Sequence, residues 1–427
     1  MTEWQTMQMR DVMLGFFDGP HATPPPADSG PVFLGIKNIT EGGALDLSQI
    51  RHIAEDDFSR WTRRVTPEPG DVVFSYEATL HRYALIPGGF RGCLGRRLAL
   101  IRPDRSVVHP RFLHLAMLGP AWRTAVTERV ISGATVDRIP IANFEQFPIS
   151  VPDLATQEAV VAVLGAIDDL IENNQRRVKV LEEITRAIYR EWFVHFRYPG
   201  HEDATLIESP LGRIPSGWSV QSLEQCASKL VDGDWVETKD QGGDSYRLLQ
   251  VSNIAVGAFR ETGKYRYVTD DTFQRLRCQA IALGDILISR MPDPVGRAWL
   301  VDHLDERAIT VVDVGVLTPT SPAMGHFLNQ VLNSPEQLAR AETVATGTTR
   351  KRITRGVLAR NQIIVPNDEV LTSFHGRVES AAEIASSLRR QIRQLVRTRG
   401  LLLPKLVTGE VDVSLLELDA LVDGAVA

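Results

Sequence analysis

The chain has 427 residues, 43% of them hydrophobic and 23% charged, with a formal net charge of −6. Such a composition describes a soluble globular protein of two to four domains, each half long enough to bury a core of its own. It excludes a membrane-spanning chain, since no apolar run reaches bilayer length, and it argues against a disulfide or zinc framework, since Cys93, Cys226 and Cys278 are few and far apart.

The first residues, MTEWQTMQMRDVM, lack the basic start and apolar core of a secretory signal, which predicts a cytoplasmic protein. Apolar, β-rich runs follow at 32–39, 71–75 and 98–102, punctuated by Pro and Gly, with a helical stretch at 112–118. The segment TPPPADSG, 23–30, reads as a loop because Pro supplies no ladder donor. Between 91 and 123 the basic residues are Arg91, Arg96, Arg97, Arg102, Arg105, Arg111 and Arg123, against Asp104 as the only acid. Residues 1–152 thus form a mixed domain with a basic zone suited to phosphate contact or to plain solvation.

A long helix is predicted over 153–198, with Asp153 placed to cap it. Steps of four and three trace a heptad seam through Val160, Leu164, Ile167, Ile171, Asn174, Val178, Leu181, Thr185, Ile188 and Trp192. Asn174 in that seam either fixes register or is a tolerated polar defect. Residues 199–217 look like an irregular linker. Residues 218–366 then repeat the pattern, with β-rich runs at 248–254, 285–289 and 310–317 and a helical stretch at 325–332. A second basic zone, Arg340, Arg350, Lys351, Arg352, Arg355 and Arg360, is set against Glu342 alone. A second long helix covers 367–404, capped by Asn367, weakened by Gly400 and ended by Pro404. Residues 405–427 form a tail.

The repetition keeps a fixed offset. GATVDRIPIANFEQFPISVP at 133–152 and GTTRKRITRGVLARNQIIVP at 347–366 lie 214 residues apart. So do GDVVFS at Gly70 and GDILIS at Gly284, Asp18-Gly19 and Asp232-Gly233, and Trp4 and Trp218. Adding 214 to the first nine seam positions gives Phe374, Val378, Ala381, Ala385, Leu388, Ile392, Leu395, Arg399 and Leu402. A period this long marks a tandem duplication of a whole module rather than a solenoid. The fold class is α+β. Two mixed domains are separated by two long helices, which pair as an antiparallel coiled coil and relate the domains by an approximate two-fold axis. A helix of about 44 residues would be roughly 65 Å long.

B-DNA has two-fold axes of its own, so paired domains on a stiff spacer suit two half-sites in the groove, with about 19 base pairs spanned. Domains that differ in their loops predict a bipartite, asymmetric target. The residues now carry a resemblance. QEAVVAVLGAIDDLIENNQRRVKVLEEITRAIYREWFVHFRYPG at 157–200, SPLGRIPSGWSVQSL at 209–223 and LLLPKLVTGEVDV at 401–413 resemble the specificity subunit of Type I restriction–modification enzymes, over essentially the whole chain. The resemblance implies two target recognition domains on double-stranded DNA and docking of two methyltransferase subunits. Those subunits flip and N6-methylate adenine with S-adenosylmethionine, a cofactor not bound by this chain. Restriction subunits join that core. The match is loosest over 1–128, where TPPP occupies a short loop.

Nothing in the chain reads as a catalytic centre. Pro24-Pro25-Pro26 follows Thr23, not the Asn of a methyltransferase loop, and GAFRETGK at 257–264 has the wrong glycine spacing for a phosphate loop. HPRFLH at 109–114 reads as structural. Base edges are read mainly by Arg, Asn and Gln, and phosphates by Lys, Arg and hydroxyls. The candidate DNA contacts are therefore Lys37, Asn38, Tyr76, Arg91, Arg96, Arg97, Thr135 and Arg138 in the first copy, and Asn253, Arg290, Thr348, Thr349, Arg350 and Lys351 in the second. Trp192 and Phe193 either dock a methyltransferase subunit or pack on the chain's own second domain. A scaffold that binds no DNA, a self-sufficient nuclease or methyltransferase, and a methylation-only system are the competing readings.

Overall fold

The computed structural model describes residues 4–133, 136–347 and 351–413. The chain forms two compact units: Met1–Asn173 with Ile392–Ala427, and Asn174–Gln391. Unit one holds β1 (Gln5–Gln8), β2 (Met13–Asp18), β3 (Ala27–Leu34), β4 (Arg51–His52), α1 (Phe58–Trp61), β5 (Val72–Ser75), β6 (Tyr83–Leu85), β7 (Gly92–Leu94), β8 (Leu98–Pro103), α2 (Pro110–Leu118), α3 (Pro120–Thr127) and β9 (Pro148–Val151). The long helix α4 (Leu154–Tyr189) follows. Unit two adds β10 (Leu206–Ile207), β11 (Ile214–Pro215), β12 (Ser219–Ser222), β13 (Ala227–Asp232), β14 (Tyr246–Leu249), β15 (Tyr267–Val268), α5 (Asp270–Leu276), β16 (Ile286–Ser289), β17 (Ala298–Leu300), β18 (Ala308–Thr310), β19 (Val314–Pro319), α6 (Pro322–Leu332), α7 (Pro335–Val344), α8 (Arg355–Ala359) and β20 (Gln362–Val365). The second long helix, α9, spans Asp368–Leu406.

The duplication reappears as topology. Unit one has a four-stranded sheet in the order β2-β8-β5-β6, and unit two has β13-β19-β16-β17. The three-stranded sheets are β4-β3-β7 and β15-β14-β18, each with one parallel pair, β3 with β7 and β14 with β18. The ribbons β1-β9 and β12-β20 close the set. The strands after the Gly-Asp pairs, VVFS and ILIS, are buried throughout because their two faces feed two different cores. Val72 and Phe74 enter one core and Val73 another; Ile286 and Ile288 enter one and Leu287 another. Gly70 and Gly284 make the turn at φ +94° and +87°, where a side chain is strained. Asp71 and Asp285 then accept from the N–H of Glu68 and of Ala282, each at 2.8 Å.

Each unit also contains part of both long helices. In unit one Asp168 pairs with Arg399, while Val160 and Leu164 share a core with Leu403 and Leu406. In unit two Asn174 Nδ2 donates to Gln391 Oε1 at 3.3 Å, Arg389 meets Glu182 at 2.6 Å, and Trp192 lies 6.1 Å from Phe374. Residue numbers fall on one helix as they rise on the other, so within each unit the helices run antiparallel. Every seam position of the first helix, from Val160 to Trp192, is buried or half-buried, and so is every one of the second from Phe374 to Leu402. Asp153 and Asn367 cap the helices, accepting from Thr156 N at 2.9 Å and Val370 N at 3.0 Å.

Several expectations need correction. The α-helix of α4 is 36 residues and that of α9 is 39, roughly 54 and 58 Å rather than 65 Å. The first gives way at Tyr189 to a widened π turn over Arg190–Val194, which aims Trp192 and Phe193 into the core of unit two, against Trp218, Phe327 and Phe374. Those aromatics are thus packed inside their own unit. Pro404 does not end α9, because only the bond to Gly400 is lost and buried Leu403 and Leu406 hold the last turn. Within 199–217, β10 and β11 form a small hairpin. In 23–30 the loop stops at Pro26, since Ala27 has a free N–H and already pairs with His52.

Candidate nucleic-acid interface

The fixed offset brings chemically related residues to one place in each unit: the end of the central strand, β5 or β16. In unit one that end is Tyr76. Its N–H donates to Arg97 O at 3.1 Å, its carbonyl accepts from Ile139 N at 2.7 Å, and its hydroxyl donates to Arg96 O at 2.8 Å. Arg138 exchanges backbone hydrogen bonds with Ile131 and lies opposite Glu77 in an antiparallel backbone pairing. Arg97 lies 3.4 Å from Glu77, in ion-pair range but outside hydrogen-bonding geometry. Asp18, at the end of β2, holds Arg64. Four arginines (Arg64, Arg96, Arg97 and Arg138) thus gather with two carboxylates, a net excess of positive charge. Arg96 and Arg138 are exposed. Burial, then Asp18 and Glu77, push the Tyr76 phenol above its ordinary range, so it stays neutral.

Unit two repeats the frame with other side chains. Arg290 takes the place of Tyr76, donating its N–H to Asp313 O at 3.0 Å and accepting from Ile353 N at 3.1 Å. Its guanidinium is buried, bonded to Asp232 at 2.5 Å and Val312 O at 2.9 Å, with Nε unpartnered. Burial lowers its pKa, with Asp232 opposing. Arg352 corresponds to Arg138; it exchanges backbone hydrogen bonds with Thr346 and sits 3.1 Å from Asp313. Arg355 lies 3.7 Å from Asp232, and Lys351 lies 3.7 Å from Glu342.

Beside this cluster opens a cleft of about 740 Å³, lined by Trp235, Gln250, Arg260, Asp293 and Asp313 among others. Trp235 is 68% exposed and its indole N–H donates to Glu237 at 3.4 Å. Burial raises the Asp234 carboxyl at its edge to about 6. Arg297 fixes the cleft's walls by donating to the carbonyls of Val251, Ile254, Met291 and Pro294 at 2.6 to 3.0 Å. A larger groove of about 1550 Å³, lined by Tyr189, Asp302, His326 and Arg389, also belongs to unit two.

Of the residues singled out from sequence, Tyr76, Arg96, Arg97 and Arg138 come together in unit one, and Arg290 and Lys351 lie around the matching place in unit two. Asn38 and Asn253 do not join them, although they do match each other. Both are 2% exposed. Each accepts from a backbone N–H three residues earlier, Gly35 at 3.0 Å and Gln250 at 2.8 Å, and donates to carbonyls that close its loop. Their amides are consumed internally, which corrects their assignment as base readers in this conformation. Tyr76 and Arg290 are likewise buried and act as supports. Arg91 pairs with Glu55 and stacks on Phe58, away from the cluster, and Lys37 is exposed. Thr135, Thr348, Thr349 and Arg350 lie outside the described residues. Sequence reading missed Arg64 and Asp313 as members, and it placed Arg352 and Arg355 only in a basic zone and Asp232 only in the repeat. The paired Asp-Gly steps at Asp18 and Asp232 were the available signal.

No protein-family model matches the chain. In sequence it is similar to the Type I restriction enzyme MjaIX specificity subunit of Methanocaldococcus jannaschii, 22% identical over 295 residues, covering 66% of this chain and 65% of that protein. The match therefore spans just under two thirds of that relative's length. It is also similar to the Type I restriction enzyme HindI specificity subunit of Haemophilus influenzae, 19% identical over 378 residues, covering 74% of this chain and 80% of that one. In fold it resembles the crystal structure of the Type I restriction–modification S subunit from M. genitalium, with a TM-score of 0.57, 11% identity, and coverage of 95% of this chain and 96% of that one.

Proposed function

We propose that this chain is the DNA specificity subunit of a Type I restriction–modification enzyme, the kind of protein to which its curated relatives and the M. genitalium structure belong. Its two recognition units read the two unlike parts of a bipartite, asymmetric target on double-stranded DNA. It positions two adenine methyltransferase subunits and, in the complete enzyme, restriction subunits, and catalyses nothing itself. S-adenosylmethionine is held by the methyltransferase partner. The protein works in the cytoplasm; among the described residues no helix is long and apolar enough to cross a membrane.

The observation that carries this reading is the recurrence of one strand-end arginine cluster in both units, built on the same backbone hydrogen bonds. A duplicated cationic site on a duplicated frame suits a ligand that offers phosphates and base edges twice. Arg96, Arg97, Arg138 and Lys37 in unit one, and Lys351, Arg352 and Arg355 in unit two, are the proposed contacts. Thr135, Thr348, Thr349 and Arg350, which lie outside the described residues, complete the proposed set, with Arg91 added from its basic zone.

The test is methylation-sensitive sequencing of DNA from cells expressing the chain with its methyltransferase partner. A split motif with modified adenines on both strands is expected. An unbroken motif, or no chain-dependent modification, would refute the reading.

A further inference from the structure

We propose that the turn leading into β8 and β19 makes the two half-sites differ in base chemistry: the turn of unit one reads a guanine, and that of unit two reads the amino group of a cytosine. This rests on the DNA-reading role proposed above. The two turns are the same place in the fold. Tyr76 N donates to Arg97 O at 3.1 Å, and Arg290 N donates to Asp313 O at 3.0 Å. One step on, Gly19 N donates to Leu98 O and Gly233 N to Val314 O, both at 2.8 Å. Yet one turn reads Arg96-Arg97 and the other Val312-Asp313.

The inversion of charge is informative because the rest of each cluster stays cationic. A carboxylate is repelled by phosphate, so Asp313 contributes nothing to non-specific DNA binding. It accepts hydrogen bonds and donates none, and the group on a major-groove edge that it suits is the cytosine N4 amino group. Asp313 lines the cleft beside Trp235 and Gln250, and Arg352 stands 3.1 Å from it. In unit one the exposed Arg96 has no ion-pair partner among the described residues, and the Arg97 guanidinium lies 3.4 Å from Glu77. Guanidinium donors match the O6 and N7 acceptors of guanine.

The experiment selects bound sequences from random duplex DNA at fixed salt, using the full chain with its methyltransferase subunits. It compares wild type, Arg96→Gln, Arg97→Gln and Asp313→Asn. Discrimination of one guanine should fall about 10- to 100-fold in either arginine variant, confined to one half of the motif. Asp313→Asn should relax one cytosine, by a similar factor, in the other half only. Arg96 is exposed and Asp313→Asn keeps the side-chain shape, so neither change threatens folding. A uniform loss of affinity for all sequences, an unchanged motif, or changes in the same half would overturn the inference. A wild-type chain that selects no split motif would instead defeat the DNA-reading role itself.

Discussion

Arg290 and Tyr76 occupy equivalent strand ends, and burial shapes what each can do. Arg290 is a charged group with a 4% exposed side chain, kept ionised by Asp232. Removing Arg290 takes from Asp232 the nearer of its two arginines, leaving Arg355 at 3.7 Å. Arg290→Met should cost about 3 kcal/mol, seen as a lower melting temperature, while conservative changes at exposed Arg355 should cost less than about 1 kcal/mol. His114 is a second buried group, 7% exposed, with its ring nitrogen 3.4 Å from Tyr83 O. Burial holds its pKa down to about 4, below the ordinary 6.5. The folded state therefore binds fewer protons than the unfolded state between those values. The stability linked to His114 is fully present above pH 6.5 and is lost as pH falls toward 4, roughly 3 kcal/mol in all. Melting curves at pH 7.5 and 4.5 should differ less for His114→Gln than for wild type; an equal difference would contradict the assignment.

The long helices were legible as elements because a heptad is a local signal: each seam residue is marked by its own spacing, and in the structure each is buried or half-buried. Their ends were not. Where α4 stops depends on Trp192 and Phe193 finding Phe327 and Phe374, residues more than a hundred positions away. Leu164, fully buried in the seam of unit one, should cost about 2–5 kcal/mol when cut to Ala. Asn174 behaves differently. Among the described residues it bonds across the seam to Gln391, which is itself exposed and can turn to water, so Asn174→Leu should stabilise unit two by about 1 kcal/mol, read as a raised urea midpoint. The Gly-Asp turns offer a paired comparison. A Cβ on Gly284 meets nothing within 4 Å, whereas one on Gly70 would meet Arg105 at 2.8 Å. Gly284→Ala should cost about 1 kcal/mol from backbone strain alone, and Gly70→Ala more.

For the chain as a whole, net charge is no guide to its partner, because −6 conceals two cationic clusters. Binding to duplex DNA should weaken steeply and linearly on a logarithmic salt scale, and each arginine removed from a phosphate should make the slope shallower by about one. A salt-independent interaction would favour the scaffold reading. Exchanging residues 1–149 for those of a Type I specificity subunit with a different target should change one half of the target motif and leave the other intact.

The duplication, the strands after the two Gly-Asp steps and the capped helices were present in the linear chain, since repeat offsets, alternation and heptads are properties of neighbours in sequence; the runs 32–39 and 248–254 are strand only to Leu34 and Leu249, and 310–317 divides between two strands. The fate of individual polar side chains was decided by the tertiary structure. Asn38 and Asn253 follow strands and look available, yet each is folded back onto its own loop. Arg290 follows a strand in the same way and is buried on Asp232, 58 residues earlier. Whether a polar group faces water or is consumed inside depends on which distant segments converge on it, and no local spacing encodes that convergence. The same dependence hid the correspondence of Arg97 with Asp313, which became visible only when two sheets made the same backbone hydrogen bond to residues whose side chains carry opposite charges.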